Sequence, residues 1–175
     1  DRVYNLGYFF DGGTLMDEQN VLTSEWGEDS PATKQSVFNY NVKLVNPKFT
    51  LTSDTLGYNT ATKIANIVGP SDIWSDNNHI YSERGIYNTQ TGQADLYDRS
   101  VLINEGKQLT GDTLFYDRNQ GIGKAFHNMV MTDTVNRNMM TGDYGYYDEK
   151  NDYAFATRRA VAIDYSQGDS LFLHA

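Results

Sequence analysis

Five short motifs recur along this chain at almost constant spacing: Leu22-Thr-Ser-Glu25, Leu51-Thr-Ser-Asp54, Ile80-Tyr-Ser-Glu83, Leu109-Thr-Gly-Asp112 and Met140-Thr-Gly-Asp143. Their acidic residues stand 29, 29, 29 and 31 positions apart. Each copy runs large apolar, polar, Ser or Gly, then acid. Four of the five place a tyrosine four residues past the acid (Tyr58, Tyr87, Tyr116 and Tyr147), whereas the first copy has Asp29 there. A polar turn follows, and then a second run such as Ile64-Ala-Asn-Ile-Val68 or Ala94-Asp-Leu-Tyr97. Self-similarity at such a period is the mark of a repeat architecture. A single unit of this size cannot bury its own apolar face, so stacked neighbours must complete the core.

The runs are short, rich in Val, Ile, Thr, Tyr and Phe, and broken by Asn, Asp and Gly, which is strand-and-turn chemistry. No segment carries the apolar spacing of a long amphipathic helix; only Val161 to Asp164 could hold a helical turn. The fold class is therefore all-β, built of short antiparallel strands with about 29–31 residues per repeat. The three prolines fall in presumptive loops. Inward parity changes at the acid: Leu51 and Ser53 precede Asp54, and Leu56 and Tyr58 follow it, as Leu109, Gly111, Leu114 and Tyr116 flank Asp112. A period-2 strand does this only at a bulge or a corner. The repeated acid is thus expected to mark a corner. Equivalent carboxylates in every copy do not supply the two differentiated environments of an acid–base pair.

Composition closes several doors. A net charge of −9, with 14 basic residues and a single adjacent basic pair (Arg158-Arg159), argues against nucleic acid and against a polybasic membrane surface. With no cysteine there are no disulfides, zinc–thiolate sites or Cys nucleophiles. No apolar run is long enough to span a bilayer as a helix. His79, His127 and His174 sit far apart in strand-like runs and in no metal spacing. The tyrosines read as a core or sheet-face ladder ahead of a stacking platform for sugars. Met129, Met131, Met139 and Met140 suit either an adaptable surface or plain core filling. No cofactor, no metal and no enzymatic activity are expected. Leu173-His-Ala175 reads as the start of a further copy and Gly7 to Gly13 as the tail of an earlier one, so residues 1–175 are expected to be one repeat domain cut from a longer protein.

Gly111-Asp-Thr-Leu-Phe-Tyr-Asp117 followed by Lys124-Ala-Phe-His-Asn-Met-Val130, with weaker echoes at Gly142 to Asp148 and Ser53 to Tyr58, resembles the repeat of the OstA-like family of LptA-type lipopolysaccharide-transport proteins. Two departures stand out: His127 occupies a usual Gly position and Gly145 a usual Leu position. The resemblance implies a twisted β-jellyroll or β-taco, two sheets joined along one side with an apolar groove between them. It further implies a periplasmic location and lipopolysaccharide or lipid A as ligand. The partners it implies are other OstA-like components, or a second copy joined by end-to-end strand pairing. On that reading Leu51, Leu56, Ile80, Ile86, Leu109, Leu114, Met129, Met131 and Met140 are the expected lipid-binding residues. Two rivals stand beside it: a solid β-solenoid scaffold that binds protein or polysaccharide on its outer surface, and, less favoured, a polysaccharide-active β-helix enzyme.

Overall fold

A computed structural model describes residues 7–9, 12–166 and 171–174, with side chains described for 12–166. All of its regular structure is strand. Two antiparallel sheets share four long strands. The first sheet runs in the order β2 (Gly13–Asp17), β3 (Asn20–Ser24), one half of β5 (Gln35–Asn46) and of β6 (Phe49–Asn59), β8 (Ser71–Ser75), β9 (Asn78–Ser82), β12 (Val101–Asn104), β13 (Lys107–Thr110), one half of β15 (Ile122–Asp133) and of β16 (Asn138–Asp148), β18 (Val161–Asp164) and β19 (Leu171–His174). The second runs β1 (Gly7–Phe9), β4 (Trp26–Ser30), the other halves of β5 and β6, β7 (Ile64–Ile67), β10 (Arg84–Asn88), β11 (Gln93–Tyr97), β14 (Thr113–Asp117), the other halves of β15 and β16, and β17 (Tyr153–Thr157). Val161–Asp164 is a strand and not a helical turn, because it pairs with β16 from Asn138 to Thr141. Pairing with a neighbouring tier overrides weak local preference. Phe10, Asp11 and Ala175, parts of the two expected partial copies, lie outside the described residues.

The sheets meet along a spine, and the acids build it. In β5 against β6 the register jumps so that Tyr40 and Asn41 oppose Asp54 alone; in β15 against β16, His127 and Asn128 oppose Asp143. Tyr40, Asn41, Asp98, Arg99, His127, Asn128, Arg158 and Arg159 all have φ between 50° and 66°. These left-handed pairs turn the strand from one sheet into the other, at some conformational cost for residues with a Cβ. The acid one strand earlier compensates. The amide nitrogens of Glu25, Asp112 and Asp143 donate to the carbonyls of Tyr40 (3.0 Å), His127 (2.9 Å) and Arg158 (2.8 Å). Their carboxylates accept from Asn41, from Asn128 (2.9 Å) and from Arg159 (3.0 and 2.6 Å). His127 is thus a corner residue rather than an ordinary strand residue, in the backbone region that favours Gly.

Beyond each corner, parity places every second side chain inward. Leu22, Leu44, Leu51, Ile73, Ile80, Leu102, Leu109 and Met131 from the first sheet meet Phe38, Leu56, Tyr58, Ile67, Tyr87, Leu96, Leu114, Tyr116 and Tyr147 from the second in one continuous core. Burying a side chain of this size stabilises by roughly 1.5–3 kcal/mol. Gly123 lets side chains of the facing sheet come close: an added Cβ would sit 2.9 Å from Leu102 and 3.1 Å from Leu109. At Gly145 the space a side chain would take is filled by Met129, 2.5 to 2.8 Å from an added Cβ. The missing leucine of the family repeat is replaced by a methionine reaching across from β15.

Candidate functional site

Opposite the spine, the two rows of hairpin turns face each other across a mouth. Among the described residues no strand pairing joins the rows there, and side chains alone close the gap. The inward tyrosines of the second sheet end at this mouth, and the hydroxyls of Tyr58, Tyr116 and Tyr147 are held from the opposite row. Tyr58 donates to Asp17 (2.7 Å) and accepts from Asn20 (2.9 Å), while Lys63 reaches both Asp17 oxygens (2.7 Å each). Tyr116 accepts from Asn78 (2.5 Å) and donates to Glu149 (3.3 Å), which also accepts from Asn78 (3.0 Å). Tyr147 donates to Asn104 (3.4 Å), and Lys107 pairs with Asp152 nearby. Tyr87 is the exception: its partners are Arg118 and the ring of Phe49, 4.9 Å away edge-on. Together these contacts form a polar clasp along the mouth.

Burial governs the electrostatics of the clasp. Desolvation, and then the Asp17 hydrogen bond, push the Tyr58 phenol up to about 12. Desolvation takes Tyr87 to about 12 against the opposing pull of Arg118. Desolvation also raises the Glu149 carboxyl, whose Oε1 is buried with no hydrogen-bond partner. The tyrosines therefore stay neutral at physiological pH, Tyr58 as a donor to Asp17 and Tyr87 as an acceptor from Arg118. Their rings pack as core and not as a sugar platform.

The structure brings most of the expected lipid-binding residues together. Leu51, Leu56, Ile80, Leu109, Leu114, Met129 and Met131 all lie within the shared core, and Met140 packs half-buried against it. Ile86 does not join them. It lies between buried Gly85 and Tyr87 and opposite Asn66 and Asp95, so it faces outward. The slip of one position arose because Gly85, not Ile86, takes the inward place where β9 passes into β10. In the middle tiers side chains occupy the space between the sheets: the gap bounded by Leu102, Asn104, Lys107, Gln108, Leu109, Met131 and Tyr147 has no room for a water molecule. The core loosens towards the last tiers, where Met140, Ala154 and Ala156 are only partly covered. On the outside of those tiers Phe126, Tyr144, Tyr146, Tyr153 and Phe155 form one aromatic cluster. His79 stacks on half-exposed Trp74 (3.7 Å between centroids) and bonds Asp72 (2.6 Å) on the outer face of the first sheet. The side chain of His174 lies outside the described residues. Among the described residues no cluster of metal-ligating side chains occurs, and no helix is long and apolar enough to cross a membrane.

A tiered pair of sheets hinged on a continuous spine, with an apolar interior behind a side-chain mouth, defines a repeat-built β-jellyroll of the taco kind. The chain belongs to the OstA-like family: the model of the "OstA-like protein" family matches residues 1–54 and 50–112. The tiers beyond residue 112 continue the same pairing scheme. Among solved structures, LptH of Pseudomonas aeruginosa, described as the LptA-homologous periplasmic component of the lipopolysaccharide transport device, shares the fold. The two are 18% identical, with a TM-score of 0.51 over 73% of this chain and 85% of that one. No curated protein sequence matches.

Proposed function

We propose that this protein is a periplasmic lipopolysaccharide-binding and transport module that takes acyl chains between its two sheets and joins other OstA-like units through its terminal strands. The observation that carries this reading is the asymmetry of the interior. It is apolar from Leu22 to Tyr147, covalently hinged at the spine, and shut at the mouth by side-chain contacts alone. Each methylene transferred from water into such an interior contributes about 0.8 kcal/mol. A handful of methylenes therefore offsets the loss of clasp hydrogen bonds, each worth about 0.5–1.5 kcal/mol net. The anionic character of the chain is compatible with an anionic lipid when the tails enter and the head stays at the mouth. Free edges on β2 and β17, which each pair on one side only among the described residues, offer the strand addition that end-to-end joining needs.

The test is photocrosslinking with lipid A. Probes at Leu51, Leu56, Ile80, Leu109, Leu114, Met129, Met131 and Met140 are expected to label, and probes at Ile86, Asn119 and Lys150 to stay silent. Equal labelling of both sets, or none, ends the reading. A second reading, a scaffold binding protein or polysaccharide on its outer face, is favoured by the filled middle tiers and the outward aromatic cluster on β16 and β17. Native mass spectrometry separates the two, since a carrier retains acyl-bearing mass and a scaffold does not.

A further inference from the structure

One member of the clasp, Arg118, is a mostly buried cation with no carboxylate beside it. Asn20 and Asn78 each cap a tyrosine 38 residues ahead, Tyr58 and Tyr116. For Tyr87 the same offset (87 − 38 = 49) falls on Phe49, which has no polar group to offer. Arg118 steps in from the turn after β14, at the repeat position that holds Thr89 one copy earlier (118 − 89 = 29) and Glu149 one copy later (149 − 118 = 31). It is only 8% exposed. Its guanidinium lies over the Phe49 ring at 5.3 Å and donates Nη1 to Tyr87 at 2.7 Å. The space is made by Gly92, where an added Cβ would sit 3.0 Å from the guanidinium carbon.

Among the described residues no carboxylate lies within 4.0 Å of Arg118, and neither Nε nor Nη2 has a hydrogen-bond partner. A guanidinium carries five donors in a rigid fork, and a mostly buried charge without a counter-ion is costly. The same side chain lines a cavity of ≈ 110 Å³ at the mouth, together with Lys48, Lys63, Glu18 and Thr89. Lys63 is neutralised by Asp17 at 2.7 Å and approached by Glu18 at 3.7 Å. Lys48 has no ion-pair partner among the described residues. In a chain of net charge −9, two uncommitted cations therefore converge on one small polar cavity.

We propose that Arg118 and Lys48 form an anion site at the mouth which takes a phosphate group. Arg118 presents its free fork edge, the geometry suited to bidentate phosphate contact, and Lys48 supplies a point charge from the rim. The phosphate arrives either as the head of an amphiphile whose tails pass the clasp or as free phosphate. The first source rests on the transport reading above; the anion site itself does not.

The experiment titrates the whole chain with sodium phosphate against sodium chloride at matched ionic strength, and with bisphosphorylated lipid A against its dephosphorylated form. The site requires that phosphate raise Tm beyond chloride, or that the bisphosphorylated lipid bind about tenfold more tightly than the dephosphorylated one. Lys48→Gln, a surface change that leaves the core alone, is expected to reduce that preference severalfold. Arg118→Gln, with its fold checked by circular dichroism, is expected to abolish it. A response to phosphate alone supports the site with free phosphate as its source, even where lipid binding fails. Equal binding of the two lipids, with no phosphate response beyond chloride, overturns the site while leaving the tails' place in the interior intact. An undiminished phosphate preference in both variants overturns it too.

Discussion

The spine and the mouth of this molecule run parallel along the same tiers, yet they are held by different physics. At the spine the chain itself passes from sheet to sheet, in four places through paired left-handed residues, and the carbonyls of Tyr40, His127 and Arg158 accept the amides of Glu25, Asp112 and Asp143. Opening it means breaking ladders in both sheets. At the mouth Tyr58, Tyr116 and Tyr147 meet Asn20, Asn78 and Asn104, and Tyr87 meets Phe49, through side chains only. The difference teaches where such a body gives way: the hinge is backbone and the clasp is side chain, so the sheets part from the mouth.

Perturbations of decreasing size sharpen that contrast. The largest expected effect lies in the interior common to both regions. Leu109→Ala should destabilise by about 2–5 kcal/mol in chemical denaturation, because the cavity opens between sheets that cannot collapse further. Gly123→Val should follow at about 1–3 kcal/mol, since its new methyls would meet Leu102 and Leu109. Its additional signature would be faster exchange of turn amides at the mouth than at the spine; uniform acceleration would deny the hinge. Tyr116→Phe removes one clasp hydroxyl and should cost about 1–2 kcal/mol, leaving Glu149 less well satisfied.

A fourth prediction uses pH. Burial raises the Glu149 carboxyl above its unfolded value, so the folded state holds that proton more tightly than the unfolded one. Stability tied to this group is full below the ordinary carboxylate range and falls as pH rises through the raised value. Glu149→Gln should flatten that decline in Tm measured across mildly acid to neutral pH; an unchanged slope would remove Glu149 from the clasp. The smallest effect belongs to the spine's outer face. Arg159→Ala breaks an exposed pair with Asp143 and should leave Tm unmoved within error, because the backbone and not the ion pair makes the corner.

Much of this was legible in the chain alone. The thirty-residue period announced stacked tiers. The parity switch at Asp54 and Asp112 announced corners, since no strand changes face without one. The inward places of Leu51, Leu56, Leu109 and Leu114 followed from the same alternation. Other features were not legible, for identifiable reasons. Ile86 was misplaced because the inward position two residues past the acid, filled by Leu56 and Leu114 in neighbouring copies, falls on Gly85, a residue without a side chain to reveal its direction. His127 gave no sign of its left-handed φ, because Tyr, Asp and Arg take the equivalent corner position elsewhere. The strand at Val161–Asp164 depends on pairing with β16, which is remote in sequence.

The sequence by itself determined the all-β class, the tier spacing, the corners and the apolar set, because alternation and repetition are local properties of a chain. Only the tertiary structure decided that the middle tiers are filled while the last tiers stay looser, that the tyrosine hydroxyls form a clasp, and that Arg118 comes to lie over Phe49. Those outcomes depend on the distance between two sheets and on contacts between residues 31 to 71 positions apart, such as Arg118 with Tyr87 and Asn78 with Glu149. No local pattern carries that information.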